Sequence, residues 1–174
     1  MKNVAQQLEM KAKVLECIRI CGGMTGRFMR LMCPDEEVLQ DIMESERLYK
    51  VPIRSKGENG EIKKITVYED HHYKRKRRVQ QISEQETKYL SYKNDLYLKY
   101  LDTATVWMDQ DDISSLAKKR NVNESMRPHL IFYVDDKRCG IIIRFEQNEL
   151  DQDEKTQIAG AFDLNKLIEV VVPQ

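Results

Sequence analysis

Arginine and lysine recur in the first half of the chain at Arg27, Arg30, Arg54, Lys56, Lys63 and Lys64. An unbroken run follows: Lys74, Arg75, Lys76, Arg77 and Arg78. The chemistry open to them is contact with phosphate. A guanidinium forks onto two phosphate oxygens, and each contact with a duplex releases counterions. Tyr73 stands beside the run. The opposing reading is a solvated surface, since a five-residue charge run is often the outer face of a helix.

Other residue groups offer less. Cys17 and Cys21 are one helical turn apart, Cys33 follows, and His71-His72 lie further on. A tetrahedral zinc site shows paired short spacings on two knuckles. The cysteines are therefore expected to be small buried hydrophobes, with no metal and no cofactor. Cys139 falls in a predicted turn and reads as an exposed thiol without a basic neighbour. Asp109, Asp111 and Asp112 could bind a divalent cation, but the cluster reads first as a loop and helix N-cap. There is no phosphate-cradling glycine loop, no nucleophile elbow and no HExxH. Three histidines, two of them adjacent, leave few general bases, so catalysis is not expected. Tyr89, Tyr92, Tyr97 and Tyr100 could stack on single-stranded bases. At helical spacing they predict core or interface packing instead.

The elements that must position the basic residues follow from periodicity. Residues 4–21 repeat apolar side chains at Val4, Leu8, Leu15 and Ile18, which predicts a helix with one buried stripe. Gly22-Gly23 ends it. Thr25 caps a second helix carrying Phe28, Leu31 and Met32. After Pro34, Asp35 caps a third, with Val38, Leu39, Ile42 and Met43 inward. Two alternating runs flank Asn59-Gly60, a strong hairpin signal. Helix, helix, helix, hairpin is the order of a winged helix-turn-helix, over residues 1–70. The helix before the wing would enter a major groove. Here, over residues 35–47, it is acidic: Asp35, Glu36, Glu37, Asp41, Glu44 and Glu46 against Arg47. Only Gln40, Ser45 and Arg47 could meet bases favourably.

Residues 71–101 read as a basic connector and a helix. Residues 102–174 read as a small α/β domain: a strand near 103–108, a helix over 113–119 capped by Asp111 or Asp112, and a loop at 121–128. A hairpin at 129–134 and 140–145 flanks a turn over 135–138. A capping box, Asp151 with Glu154, opens a helix over 152–162, and a strand runs over 167–172. The fold class expected is α+β.

The formal charge sums to zero, but residues 1–78 hold 17 basic and 12 acidic side chains and residues 79–174 hold 12 and 17. Only the basic half is suited to a polyanion. No apolar run approaches the roughly 20 residues that span a bilayer, and the first residues lack a signal-peptide core. The expectation is a cytoplasmic protein with reduced thiols and no membrane partner.

From Arg127-Pro128-His129 through the strand–turn–strand to Glu146, the chain resembles the replication-relaxation proteins of plasmids and conjugative elements. The stretch KVLECIRICGGMTGRFMRLMC, then a helix, then a charged hairpin, is similar to their DNA-binding half. The resemblance implies a winged helix joined to a reduced restriction-endonuclease fold. That family has Arg-Pro-Asp before the first strand and two acidic residues, one spacer apart, on the return strand. His129, Arg144 and Glu146 stand at those places here, so two of three carboxylates are absent. A metal-dependent nuclease needs them to hold its cation, and the resemblance therefore implies a copy without cleavage.

The reading is a non-catalytic protein binding double-stranded DNA, regulatory or accessory in the replication or transfer of a mobile element. Its phosphate contacts are the eleven basic residues named first. The main rival is a protein-interaction module, a homodimer or a docking surface for a protein partner. A third reading is a residual nuclease using Asp135, Asp136 and Glu146.

Overall fold

The computed structural model describes residues 4–45, 48–56, 62–69, 84–145 and 149–172. Two compact units divide the chain, Met1–Asp95 and Leu96–Gln174.

In the first unit, α1 (Val4–Cys21) stops where glycine takes over. Gly22 and Gly23 have φ of 79° and 154°, angles that residues with a Cβ rarely adopt. The chain turns into a two-residue strand, β1 (Met24–Thr25), and directly into α2 (Gly26–Met32). Thr25 stands at the N-cap of α2, but its side chain makes no cap bond, contrary to the expectation. α3 (Glu36–Ser45) starts as its sequence predicts. The Asp35 carboxylate accepts the backbone N–H of Glu37 at 3.0 Å and of Val38 at 3.3 Å. Val38 and Ile42, one turn apart, are buried.

β2 (Tyr49–Lys56) and β3 (Ile62–Glu69) form an antiparallel ladder from Tyr49↔Glu69 to Lys56↔Ile62. The expected Asn59-Gly60 turn lies outside the described residues. β1 pairs with β3 at Met24↔Tyr68 and Thr25↔Val67, giving the sheet order β1-β3-β2. This is winged-helix topology. β1 escaped the sequence reading because two residues show no alternation.

α4 (Glu84–Tyr100) begins in the first unit and ends in the second. Its Asn94 is fully buried in the first unit. The Asn94 side chain accepts the Thr25 N–H at 3.0 Å and donates to the Gly23 carbonyl at 3.1 Å. It thus supplies both partners that the short β1 segment lacks, as a buried amide must. The Lys93 ammonium donates to the Cys21 carbonyl at the end of α1.

In the second unit, β4 (Val106–Trp107) leads into α5 (Gln110–Lys119), where Asp109 rather than Asp111 or Asp112 stands at the N-cap, its side chain making no cap bond. β5 (Leu130–Val134) and β6 (Lys137–Arg144) form the second hairpin. Its turn is only Asp135-Asp136, both at positive φ of 48° and 60°, as a tight two-residue hairpin requires. α6 (Gln152–Phe162) then crosses to β7 (Lys166–Val171), which pairs parallel to β6. The capping box is present: Asp151 accepts from Glu154 N–H at 2.8 Å and Glu154 accepts from Asp151 N–H at 3.0 Å. The sheet order is β4-β5-β6-β7. Ile113 and Ala117 of α5 pack with Ile158 and Phe162 of α6 against Ile131 and Ile142. Phe132, adjacent to Ile131, joins a different cluster, as strand alternation dictates. Its ring lies 4.8 Å from both Trp107 and Tyr100, and Tyr97 is 4.9 Å from Trp107. The fold is α+β, a winged helix followed by a small α/β unit. No helix among the described residues is long and apolar enough to cross a membrane.

Candidate nucleic-acid interface

α2 turns Phe28 and Met29 into the core. Residues three and four apart share a helix face, so the opposite face presents Arg27, Arg30 and Leu31, all exposed. Two guanidiniums one turn apart can reach adjacent phosphates. The wing cations are set by register. Arg54 and Lys64 are direct cross-strand partners, Lys63 is opposite Ser55, and Lys56 is opposite Ile62. β1 pairs with β3 only at Val67 and Tyr68. The ladder positions of Arg54, Lys56, Lys63 and Lys64 therefore lie beyond the reach of the third strand. Lys74, Arg75, Lys76, Arg77 and Arg78 lie outside the described residues.

α3 has the opposite character. Burial of Val38 and Ile42 turns Glu36, Glu37, Gln40, Asp41 and Glu44 to solvent. Gln40 donates to Glu44, so this neutral polar side chain is already engaged. Among the described residues of α3 there is no cation. Phosphate on both walls of a major groove would meet four carboxylates. Glu46 and Arg47 lie outside the described residues.

Of the residues compared with a nuclease, His129 and Arg144 lie at the same end of the β5–β6 ladder, and Asp135 and Asp136 lie at the other. Asp135 and Asp136 precede β6 and are exposed, whereas Arg144 ends it. Eight residues of strand separate those ends by about 23 Å. Glu146 lies outside the described residues. His129 serves the backbone instead. Its Nδ1 accepts the Ile143 N–H at 3.0 Å. β5 begins only at Leu130, so the imidazole stands in for a strand carbonyl at the open end of the ladder. The His129 backbone is bound on both sides. Its N–H donates to Ile141 at 2.7 Å and its carbonyl accepts from the Gln110 side chain at 2.8 Å.

All four cysteines are buried free thiols. Cys17 and Cys21 sulfurs are 3.9 Å apart. Burial pushes the Cys17 thiol well above its ordinary pKa, the bond to Cys21 adding to it, so it stays protonated at neutral pH. Cys139 is not the exposed turn thiol its sequence suggests. The turn is two residues long, so Cys139 already lies within β6, opposite Phe132. Among the described residues, no group of three or more His, Cys, Asp or Glu could hold a metal ion. His71 and His72 lie outside them. Of the tyrosines, Tyr97 is fully buried and Tyr89, Tyr92 and Tyr100 are half-buried.

One expectation for α1 fails. Val4 and Leu8, read as part of its buried stripe, are 66% and 62% exposed. The stripe continues past the point where the core ends, and periodicity carries no signal for that point. Asn94 is likewise not visible as a core residue in the sequence, because its partners are 69 to 71 residues away and are backbone groups.

Compared with family models, with characterised proteins and with solved structures, the chain matches none.

Proposed function

We propose that this protein binds double-stranded DNA without catalysis, gripping the backbone through its wing and α2 rather than reading bases through α3. Carrying this reading is the juxtaposition, within one winged helix, of exposed Arg27 and Arg30 on α2 and opposed Arg54 and Lys64 on the wing. Phosphate contacts of this kind give affinity and orientation but little sequence discrimination. The acidic face of α3 supports the same division of labour. The resemblance to replication-relaxation proteins suggests a cytoplasmic role in a plasmid or conjugative element, regulatory or accessory in replication or transfer.

The experiment is a titration of the full chain into labelled duplex at two salt concentrations. Affinity is expected to fall steeply as salt rises. Lys63→Glu combined with Lys64→Glu is expected to lose at least about tenfold in affinity, or about 1.4 kcal/mol. Absence of binding at low salt overturns the reading. It would favour the second one, a protein-interaction module, which the acidic face of α3 and the exposed Val4 and Leu8 support.

A further inference from the structure

Cys17 and Cys21 stand one turn apart near the end of α1, wholly buried, with their sulfurs 3.9 Å apart. Helix geometry holds such Cβ atoms about 5–6 Å apart, wider than the roughly 3.5–4.5 Å of a disulfide, so the pair stays as two thiols while α1 is intact. Packing alone asks for no polar group beside a sulfur, yet two are present. Asn94 Nδ2 lies 3.9 Å from the Cys17 sulfur, and the Lys93 ammonium donates to the Cys21 carbonyl. At Cys21 burial is outweighed by the bond from Cys17, the Lys93 charge and Asn94, which hold that thiol below its ordinary pKa. At Cys17 burial dominates, with Cys21 and Glu16 adding to it and Lys93 opposing.

We propose that Cys17 and Cys21 chelate one monovalent thiophilic ion, of the copper(I) class, in the core of the first unit. Sulfurs 3.9 Å apart both reach an ion between them, at metal–sulfur bonds of about 2.3 Å, the length of zinc thiolates, with a bent angle at the metal. Two metal–sulfur bonds form, two thiol protons leave to water, and the ion keeps its oxidation state. Ligand number and charge select the ion. Structural zinc takes four ligands, and among the described residues no group of three or more His, Cys, Asp or Glu could hold a metal. Thiolates alone select soft ions such as copper(I). Two thiolates bring two negative charges into a buried site, where unbalanced charge is costly. A monovalent ion offsets one, and the Lys93 charge acts on both sulfurs. Uptake waits on local opening, since neither sulfur is exposed, and an ion once held is sheltered from competing thiols. Asn94 also holds the β1 segment, so the ion would tie the end of α1 to the strand that anchors the wing. None of this depends on DNA binding.

The test is titration of the reduced full chain, without DNA, with silver(I) as a redox-inert stand-in and with copper(I) under anaerobic conditions. Native mass spectrometry is expected to show one ion per chain, and the thermal midpoint is expected to rise, because a ligand that binds the folded chain stabilises it. Cys17→Ala and Cys21→Ala are each expected to weaken binding at least about tenfold, whereas Cys33→Ala with Cys139→Ala leaves it in place. A wild type that takes up no ion overturns the proposal. So does a midpoint that falls, which would mean that the thiols are met only in the unfolded chain. Binding that survives Cys17→Ala combined with Cys21→Ala overturns it as well. The midpoint is read on the unaltered chain, so the test stands even where a variant fails to fold.

Discussion

The two hairpins, β2–β3 and β5–β6, are both antiparallel and both lie within small sheets, but they meet different neighbours. β5–β6 is flanked on both edges, by β4 and by β7. Leu130, Ile131, Phe132 and Ile141 to Ile143 are all buried. β2–β3 is flanked at two residue positions of β3 only, and β2 ends the order of its sheet. Its far half carries cations at opposed positions, where like charges are unfavourable unless an anion compensates. The β5–β6 hairpin is built for stability. The β2–β3 hairpin is the less supported of the two. Each hairpin is also secured by one side chain that replaces a backbone partner: His129 at the root of β5–β6, and Asn94 at the β1 segment that anchors β3.

That contrast can be broken or sharpened by substitution. Phe132→Ala is expected to cost about 3–5 kcal/mol, read in denaturant by Trp107, the sole tryptophan, whose ring lies 4.8 Å from Phe132. Asn94→Ala leaves the Thr25 N–H and the Gly23 carbonyl without partners, and about 3 kcal/mol is expected from two such groups. Thermal melts of the variant would check it, and a loss below about 0.5 kcal/mol would refute the anchoring role. His129→Ala orphans one N–H, for about 2 kcal/mol. His129→Asn, which can still accept that bond, should recover part of the loss. Arg54→Ala with Lys64→Ala should leave stability within about 0.5 kcal/mol, yet lower the slope of log affinity against log salt by about 2. A large drop in stability from that pair would erase the distinction between the hairpins.

The smallest effect is a pH response in the second unit. A hydrogen bond from Arg120, at 2.7 Å, holds the Asp163 carboxyl below its ordinary pKa. A group whose folded pKa is depressed contributes stability above its unfolded value of 3.8 and loses it as pH falls through the folded value. Acid titration of unfolding should therefore show a loss below that pH. Arg120→Gln should flatten it.

Much of this architecture was legible because local chemistry and tertiary outcome agree. The bounds of α1 follow from the apolar period and Gly22-Gly23, and Asp35 and the Asp151–Glu154 box open their helices as the side chains dictate. Illegible features depend on distant partners. β1 exists because β3 accepts it, Asn94 is buried because strand ends need it, and His129 reads as a departure from a motif until Ile143 is placed beside it. Arg27 and Arg30 could be read from the sequence as cations of α2, but its inward face could not: the spacing points to Phe28, Leu31 and Met32, whereas Phe28 and Met29 are buried and Leu31 is exposed. The exposure of Val4 and Leu8 could not, because a period says which face is apolar and not whether anything covers it.

The four buried cysteines give the chain an internal reporter. Cys17, Cys21 and Cys33 belong to the first unit and Cys139 to the second, and none is more than 6% exposed. A thiol reagent can react only when the surrounding structure opens. Labelling resolved by peptide mass would therefore time the opening of each unit separately, in one unaltered molecule. Cys139, inside the β6 ladder, would clock the more deeply paired of the two hairpins.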